Sequence, residues 1–386
     1  MCPHGCKSSQ RVCPRGGGPR GGEEREDSMY PRLVFDLKKV KQNLDAVSSI
    51  VKKGNCSLMI VTKSFCADRR MAELIADHPQ VDYFADSRIQ NIKNYHDLPK
   101  ETVLLRLPQH EEVSEVVRYA DISFNSELTT IQLLNDEAVK QGKTHRIVLM
   151  IDLGDLREGI FYQNRDAIDE MVEEILKLSN IQLFGLGVNL TCYGAIIPKH
   201  DNLSILTQLA KEIREKYDLE LPVVSGGNSS SLYLIEKGEL PEGINNLRLG
   251  EAFILGKETA YGERIPGTNA DAVTLEAQII ELKTKPSLPI GEIGMDAFGM
   301  SPVYEDRGNI KRAILAIGKQ DADVDNMRPK DPDIDILGAS SDHLIMDVTR
   351  AKKEYQVGDV ISFTLAYGGL LKAATSNYVD RAYIKD

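Results

Sequence analysis

The chain has no surplus of positive charge. Lysine and arginine number 47 against 58 aspartates and glutamates, a net charge of -11 over 386 residues. That balance excludes a general nucleic-acid binder, which needs a basic face to meet phosphates. It suits a cationic small molecule drawn in by long-range attraction. No apolar run approaches the roughly 20 residues of a membrane-spanning helix, and no secretory signal is legible. Neither nucleic acid nor a membrane is therefore an expected partner. Cysteines are few and badly placed for a disulfide framework: Cys2, Cys6 and Cys13 crowd into one segment, while Cys56, Cys66 and Cys192 are scattered. That usage suits a reducing, cytoplasmic setting. No Gly-x-Gly-x-x-Gly follows the first strand-like run, which counts against a doubly wound sheet that binds a dinucleotide.

Residues 1–28 also lack any apolar period. They are rich in glycine, proline and arginine and cannot bury enough surface to order themselves. Cys2, His4, Cys6 and Cys13 fit no familiar zinc spacing. The segment is expected to be a disordered extension, with Met29 as the working start and no metal bound.

Beyond it, length argues for two domains, since a single core rarely grows past roughly 250–300 residues. Residues 29–260 alternate strand-like runs with amphipathic helical ones. The runs are Leu33–Asp36, Leu58–Thr62, Asp82–Ala85, Val103–Leu107, Ile122–Asn125, Ile147–Asp152, Phe184–Asn189 and Leu221–Ser225. Between the first two, Val40, Leu44, Val47 and Val51 recur at helical spacing. Eight strand–helix units in that length predict an α/β fold, a (β/α)8 barrel of the TIM type. Residues 261–386 have another texture. Runs at Thr274–Leu282, Arg312–Ile317, Leu344–Val348 and Val360–Leu365, broken by glycine, proline and aspartate turns, predict a C-terminal all-β domain. The aspartates between 321 and 335 read as a solvated loop.

Chemistry in such a barrel gathers at the C-terminal ends of the strands, and here those ends carry polar residues on apolar strands. Leu58-Met-Ile-Val-Thr62 runs into Lys63. The run 147–152 leads into Asp152-Leu-Gly-Asp-Leu-Arg157, and 184–189 into Asn189-Leu-Thr-Cys-Tyr193. The last run leads into Ser225-Gly-Gly-Asn-Ser-Ser230, and a later turn reads Leu247-Arg-Leu-Gly-Glu251. Alone, Lys63 reads as a stem that carries its charge to water, and a Gly-Gly-Asn-Ser turn is ordinarily only a turn. Together they offer clustered N–H groups and hydroxyls for a phosphate and an amine rising from an apolar strand. A lysine and a phosphate cradle on one barrel face imply a Schiff base with pyridoxal 5′-phosphate (PLP).

With these motifs the chain resembles the alanine-racemase class of PLP enzymes (fold type III), a barrel followed by a β domain. The resemblance rests on a lysine closing a strand, on Asp152-x-Gly-x-x-Arg157, on Asn228-Ser229 and on Arg248-x-Gly250. The stretches Ala85–Asn91, Gly187–Ala195, Ser225–Ile235, Leu288–Gly299, Leu315–Asp323 and Ile336–Val348 are similar to the branch of that class that racemises ornithine. The resemblance implies an isomerase that exchanges the Cα proton of an amino acid. It also implies a homodimer whose active site lies where one barrel meets the β domain of a second chain. Lys63 is then the residue that holds PLP and exchanges the proton on one face. Arg248 matches an arginine facing the pyridine nitrogen; a guanidinium is practically never deprotonated, so that nitrogen stays unprotonated and simple reprotonation at Cα is favoured. Asn228, Ser229, Gly250 and Glu251 match phosphate-site positions, as does Tyr367 from the β domain. Arg157 matches an arginine near the cofactor and the substrate carboxylate. Asn189 falls where alanine racemases carry a histidine packed on the cofactor ring.

Three positions depart from the class. Met150 stands where many alanine racemases carry a modified lysine, Ala67 where they carry a tyrosine, and Lys319 where the tyrosine base of the second face is found. Racemisation needs proton exchange on both faces, so Lys319, Asp321, His343 and Cys192 are candidates for the second. Lys319 gains by position, and His343 by an ordinary pKa near 6.5. Asp155, Asp321, Asp323 and Asp342 are candidates to meet an ornithine side-chain ammonium, which is expensive to bury unpaired. A racemase of lysine, alanine or broad range stays open. So do a lyase or aldolase on the same barrel and a non-catalytic PLP carrier, although a carrier needs no second domain.

Overall fold

The computed structural model describes residues 29–384; the extension with Cys2, His4, Cys6 and Cys13 lies outside the described residues. The strands run in chain order β1 (Arg32–Asp36), β2 (Ser57–Val61), β3 (Tyr83–Asp86), β4 (Glu101–Leu104), β5 (Ile122–Asn125), β6 (His145–Asp152), β7 (Ile160–Phe161), β8 (Ile181–Gly187), β9 (Val223–Ser225) and β10 (Asn246–Leu249). After these come β11 (Val273–Pro286), β12 (Asn309–Leu315), β13 (Met327–Pro329), β14 (Asp335–Ala339), β15 (Leu344–Asp347), β16 (Val360–Leu365) and β17 (Asp380–Ile384).

Strands β2 to β6, then β8, β9 and β10, are parallel neighbours, and β10 pairs back onto β2 to close an eight-stranded barrel. Helices cover its outside. The first, Leu37–Lys53, aligns Val40, Leu44, Val47 and Val51 on one buried stripe. Its N-terminus is capped by Asp36, whose carboxylate accepts the Lys39 N–H at 3.0 Å. Strand alternation divides the core in two. Leu58 and Ile60 of β2 pack under the helices, whereas Met59 and Val61 join Ala85, Val103, Phe124, Val148 and Met150 inside the barrel.

The second sheet is antiparallel, ordered β13-β16-β11-β12-β15-β14. Two expectations are corrected here. Leu33–Asp36 is not the first barrel strand: β1 lies antiparallel to β11 and parallel to β17 in the second sheet. And Leu247–Glu251 is not merely a turn, because its first three residues belong to β10, the strand that closes the barrel. Leu33, Val34 and Phe35 form a continuous apolar run that suits any strand buried on both faces. Asn246 and Arg248 hide β10 from an apolar pattern although both are buried.

One carboxylate ties the sheets together. Asp68 accepts the Met71 N–H (3.1 Å) and so starts the helix Arg69–Ala76. Its other oxygen accepts from Arg381 (2.9 Å) and the Tyr383 hydroxyl (2.6 Å) on β17. Among the described residues no helix is long and apolar enough to cross a membrane, and no three His, Cys, Asp or Glu side chains are grouped to hold a metal.

Candidate active site

Lys63 follows β2 by two residues and opens a single tight helical turn, Lys63–Phe65. The chain leaves that turn through two left-handed non-glycine residues, Cys66 (φ 53°) and Ala67 (φ 49°), a conformation worth about 1–3 kcal/mol of strain each. Hydrogen bonds on both sides hold it. Thr62 donates to Asp86 of β3 at 2.6 Å and lies 3.1 Å from the Tyr95 hydroxyl, and Asp68 supplies the tie described above. Asp86 also accepts from the Arg88 N–H (2.9 Å) and Asn91 (3.0 Å). Burial pushes its carboxyl up from the ordinary range, against those bonds and the nearby charge of Lys63.

The Asp152-x-Gly-x-x-Arg157 loop is folded by its own first residue. Asp152 accepts the N–H groups of Gly154 (2.8 Å) and Leu156 (3.1 Å). Gly154 and Gly159 take φ of +114° and +127°, conformations that only glycine adopts freely. The loop delivers Arg157 and Glu158 as a forked pair, with Arg157 Nη2 2.7 Å from Glu158 Oε1. Asn189, at the end of β8, donates to Glu158 and accepts from Arg248. Arg248 also donates to Ser225 Oγ (2.6 Å) and Val188 O (2.8 Å), and its guanidinium lies over the Phe124 ring. Burial draws its pKa down to about 10, although the charge of Glu158 resists this. The guanidinium stays protonated at neutral pH.

The Gly-rich turn after β9 presents Asn228 and Ser229. Asn228 caps the following turn through the Ser230 N–H (2.8 Å) and donates to Leu190 O (3.1 Å) and Cys192 Sγ (3.2 Å). Ser229 Oγ accepts the Ala252 N–H (3.1 Å), which sets this turn against the start of the helix Glu251–Leu255. Tyr367 opens the helix Tyr367–Thr375, and Lys63 Nζ lies 6.0 Å from its ring centre.

These pieces enclose one cavity of about 820 Å³. Lys63, Arg157, Asn189, Asn228, Ser229, Arg248, Gly250, Glu251 and Tyr367 all line it. Lys63 and Tyr367 also line a second cavity of about 1070 Å³ with Lys319, Asp323 and Asp325. There Lys319 Nζ lies 4.2 Å from the Phe298 ring centre. Within the described chain His343 lies in neither cavity: it is exposed on the turn before β15. That turn is nonetheless bonded to the Lys319 loop, since Ser340 O accepts the Lys319 N–H at 2.8 Å and Ser340 N–H donates to His343 O.

Residues 35–257 match the family model described as alanine racemase, N-terminal domain. The chain belongs to the alanine racemase family. It is 55% identical over 353 residues to an ornithine racemase of Acetoanaerobium sticklandii, an alignment covering 92% of this chain and 99% of that one. It is 36% identical over 357 residues to a lysine racemase of Thermotoga maritima, again covering 92% and 99%. Among solved structures, the alanine racemase of Bartonella henselae with covalently bound pyridoxal phosphate aligns with a TM-score of 0.69 and 16% identity. That alignment covers 92% of this chain and 100% of that one. At such identity the likeness speaks for the fold alone, a TIM-type barrel with a C-terminal β domain.

Seen as an alanine racemase family member, the site sorts its candidate carboxylates. Asp155 turns both oxygens to the N–H groups of Thr191, Tyr193 and Ile196 and is buried. Asp321 is buried and accepts from Ser376 (2.6 Å), so the 321–335 stretch is not simply solvated. Asp342 is exposed beside Ser341. Of the four, Asp323 lines a cavity shared with Lys63. Met150 is buried in the barrel core and offers no charge. Ser64, Arg106, Glu158 and Thr259, which no motif singled out, line the first cavity too. No spacing marks Glu158; only its adjacency to Arg157 hinted at it.

Proposed function

We propose that this chain is a PLP-dependent racemase that interconverts L- and D-ornithine, a cytoplasmic isomerase working as a homodimer. The observation that carries the reading is the place of Lys63. It lines a cavity walled by three guanidiniums and an asparagine–serine turn, and also a neighbouring cavity with carboxylates. The 55% identity to an ornithine racemase over nearly the whole chain supports the substrate.

The residues fit the cofactor. The Ser64 hydroxyl, in the cavity wall beside Lys63, is buried without a hydrogen-bond partner. Ser229 accepts one N–H and keeps its own proton for an acceptor oxygen. Ser229, Asn228, Tyr367 and the backbone at Gly250 and Glu251 would hold the phosphate, and Lys63 the cofactor itself. When bound, PLP would supply the electron sink that loss of the Cα proton needs. Lys63 Nζ exchanges that proton on one face. Arg248, still protonated, only donates, and would leave a ring nitrogen placed against it unprotonated. Arg157 meets the substrate carboxylate, and Asp323 the side-chain ammonium. Lys319 is the second-face base in this reading, with His343 and Cys192 as alternatives. The barrel, to about residue 260, holds the cofactor, and the β domain beyond it supplies Tyr367 and the second base.

Exposed apolar residues in 288–304, among them Ile290 (91%), Met295 (77%) and Val303 (97%), support the docking of a second copy. Unpaired Cys56, Cys66 and Cys192 support a reducing compartment. The test is direct. PLP-loaded protein is given L-ornithine, L-lysine or L-alanine separately, and optical rotation is followed. Ornithine should racemise fastest; faster loss with lysine would move the substrate to the other diamino acid, and no loss with any would end the racemase reading.

A further inference from the structure

The loop that delivers Arg157 delivers a carboxylate with it. Arg157 donates through Nε and Nη2 to the two oxygens of Glu158, a forked pair of the strongest type. The same Oε1 accepts from Asn189 Nδ2, and Asn189 Oδ1 accepts from Arg248 Nη2. A single carboxylate therefore reaches two of the cavity's three guanidiniums, one directly and one across an amide. Arg248 has only neutral acceptors of its own, Asn189 Oδ1, Val188 O and Ser225 Oγ. A charge so deeply buried needs a counter-charge nearby. Glu251, in the same cavity, faces Lys257 at 3.4 Å. Asp155 is committed to the 191–196 backbone. Met150, where many alanine racemases carry a modified lysine, is an apolar core residue.

The backbone fixes where Glu158 can be. Gly159, next in the chain, lies so close to β6 that an added Cβ would sit 2.6 Å from the Asp152 nitrogen. Arg157 is 39% exposed at its side chain and Glu158 16%, and both line the cavity, so the carboxylate is the more sheltered member of the pair.

We propose that Glu158 is the positioning residue of this site: its carboxylate orients Arg157 toward the substrate and, through Asn189, anchors Arg248 in place. The orientation claim stands on the geometry alone; its effect on turnover rests on the racemase reading. In this role Glu158 acts on the substrate through these two arginines.

The experiment has two arms. In PLP-free protein, phenylglyoxal labels exposed guanidiniums, and mass spectrometry of the Arg157 peptide gives its rate. Loss of the forked pair in Glu158→Gln should speed labelling of Arg157 by about tenfold, and Glu158→Asp, too short to reach both partners, should fall between. Labelling at the wild-type rate in both variants overturns the orientation claim. In loaded enzyme, Glu158→Gln should lower kcat/KM for L-ornithine by about 100-fold, the cost of misplacing a binding group by an ångström, with Glu158→Asp recovering part of it. Unchanged kcat/KM alongside faster labelling overturns the positioning role. A wild-type protein that racemises nothing defeats the racemase reading instead and leaves the labelling arm to decide. Should Glu158→Gln not fold, the Glu158→Asp variant carries both arms.

Discussion

Two glycines in the Arg157 loop make opposite demands, and exchanging each for alanine separates them. Gly154 and Gly159 both have positive φ, so alanine at either costs about 1–3 kcal/mol in backbone strain. An added Cβ at Gly154 meets nothing within 4 Å. At Gly159 it would lie 2.6 Å from the Asp152 nitrogen and 2.7 Å from the Ile151 carbonyl carbon. Both atoms are backbone of β6 and cannot rotate away. Relieving that overlap adds about 1–3 kcal/mol, for a total of roughly 2–6 kcal/mol, and it moves Arg157 and Glu158 as well. Gly159→Ala should therefore unfold at clearly lower urea than Gly154→Ala, as followed by circular dichroism. It should also lose about 100-fold in kcat/KM by displacement of Arg157. Equal midpoints and equal rates for the two variants would refute the claim that close packing of this loop on β6 positions the arginine.

Other outcomes follow from single contacts. Asp68→Ala breaks a mostly buried pair with Arg381 and removes a Tyr383 bond and a helix cap; it should cost about 3–5 kcal/mol and raise hydrogen exchange along β17. His145 is buried against Ser123 (2.8 Å), and burial draws its pKa from 6.5 down to about 4. Its neutral form stabilises the fold above pH 6.5, and about 3 kcal/mol is lost as pH falls from there through 4; His145→Gln should flatten that part of the acid unfolding curve. Asp323→Asn should raise KM for L-ornithine about tenfold or more through loss of a charged partner, measured by optical rotation.

Much of the barrel was legible because its strands are apolar runs that stop at polar residues. The contrast made Lys63, Asn189 and Ser225–Ser229 visible before any contact was known. Strand β10 was harder to read, because Asn246 and Arg248, both bonded to Ser225, break the apolar pattern. β1 was misplaced for the converse reason: Leu33, Val34 and Phe35 say only that both faces are buried, not in which sheet. Partnerships escaped the sequence most. Asp155 and Asp321 looked available for a ligand until their oxygens were found facing backbone N–H groups and Ser376. Glu158 carries no motif, and only its contacts place it between Arg157 and Asn189.

The central claim is that Lys63 exchanges the Cα proton of the substrate on one face. It is tested most directly by incubating L-ornithine and D-ornithine separately with PLP-loaded protein in deuterium oxide and following the Cα proton by NMR. With wild-type protein, deuterium should replace that proton from either enantiomer and the opposite one should accumulate. With Lys63→Ala, both exchange and interconversion should vanish. Exchange at the wild-type rate in Lys63→Ala would contradict the account.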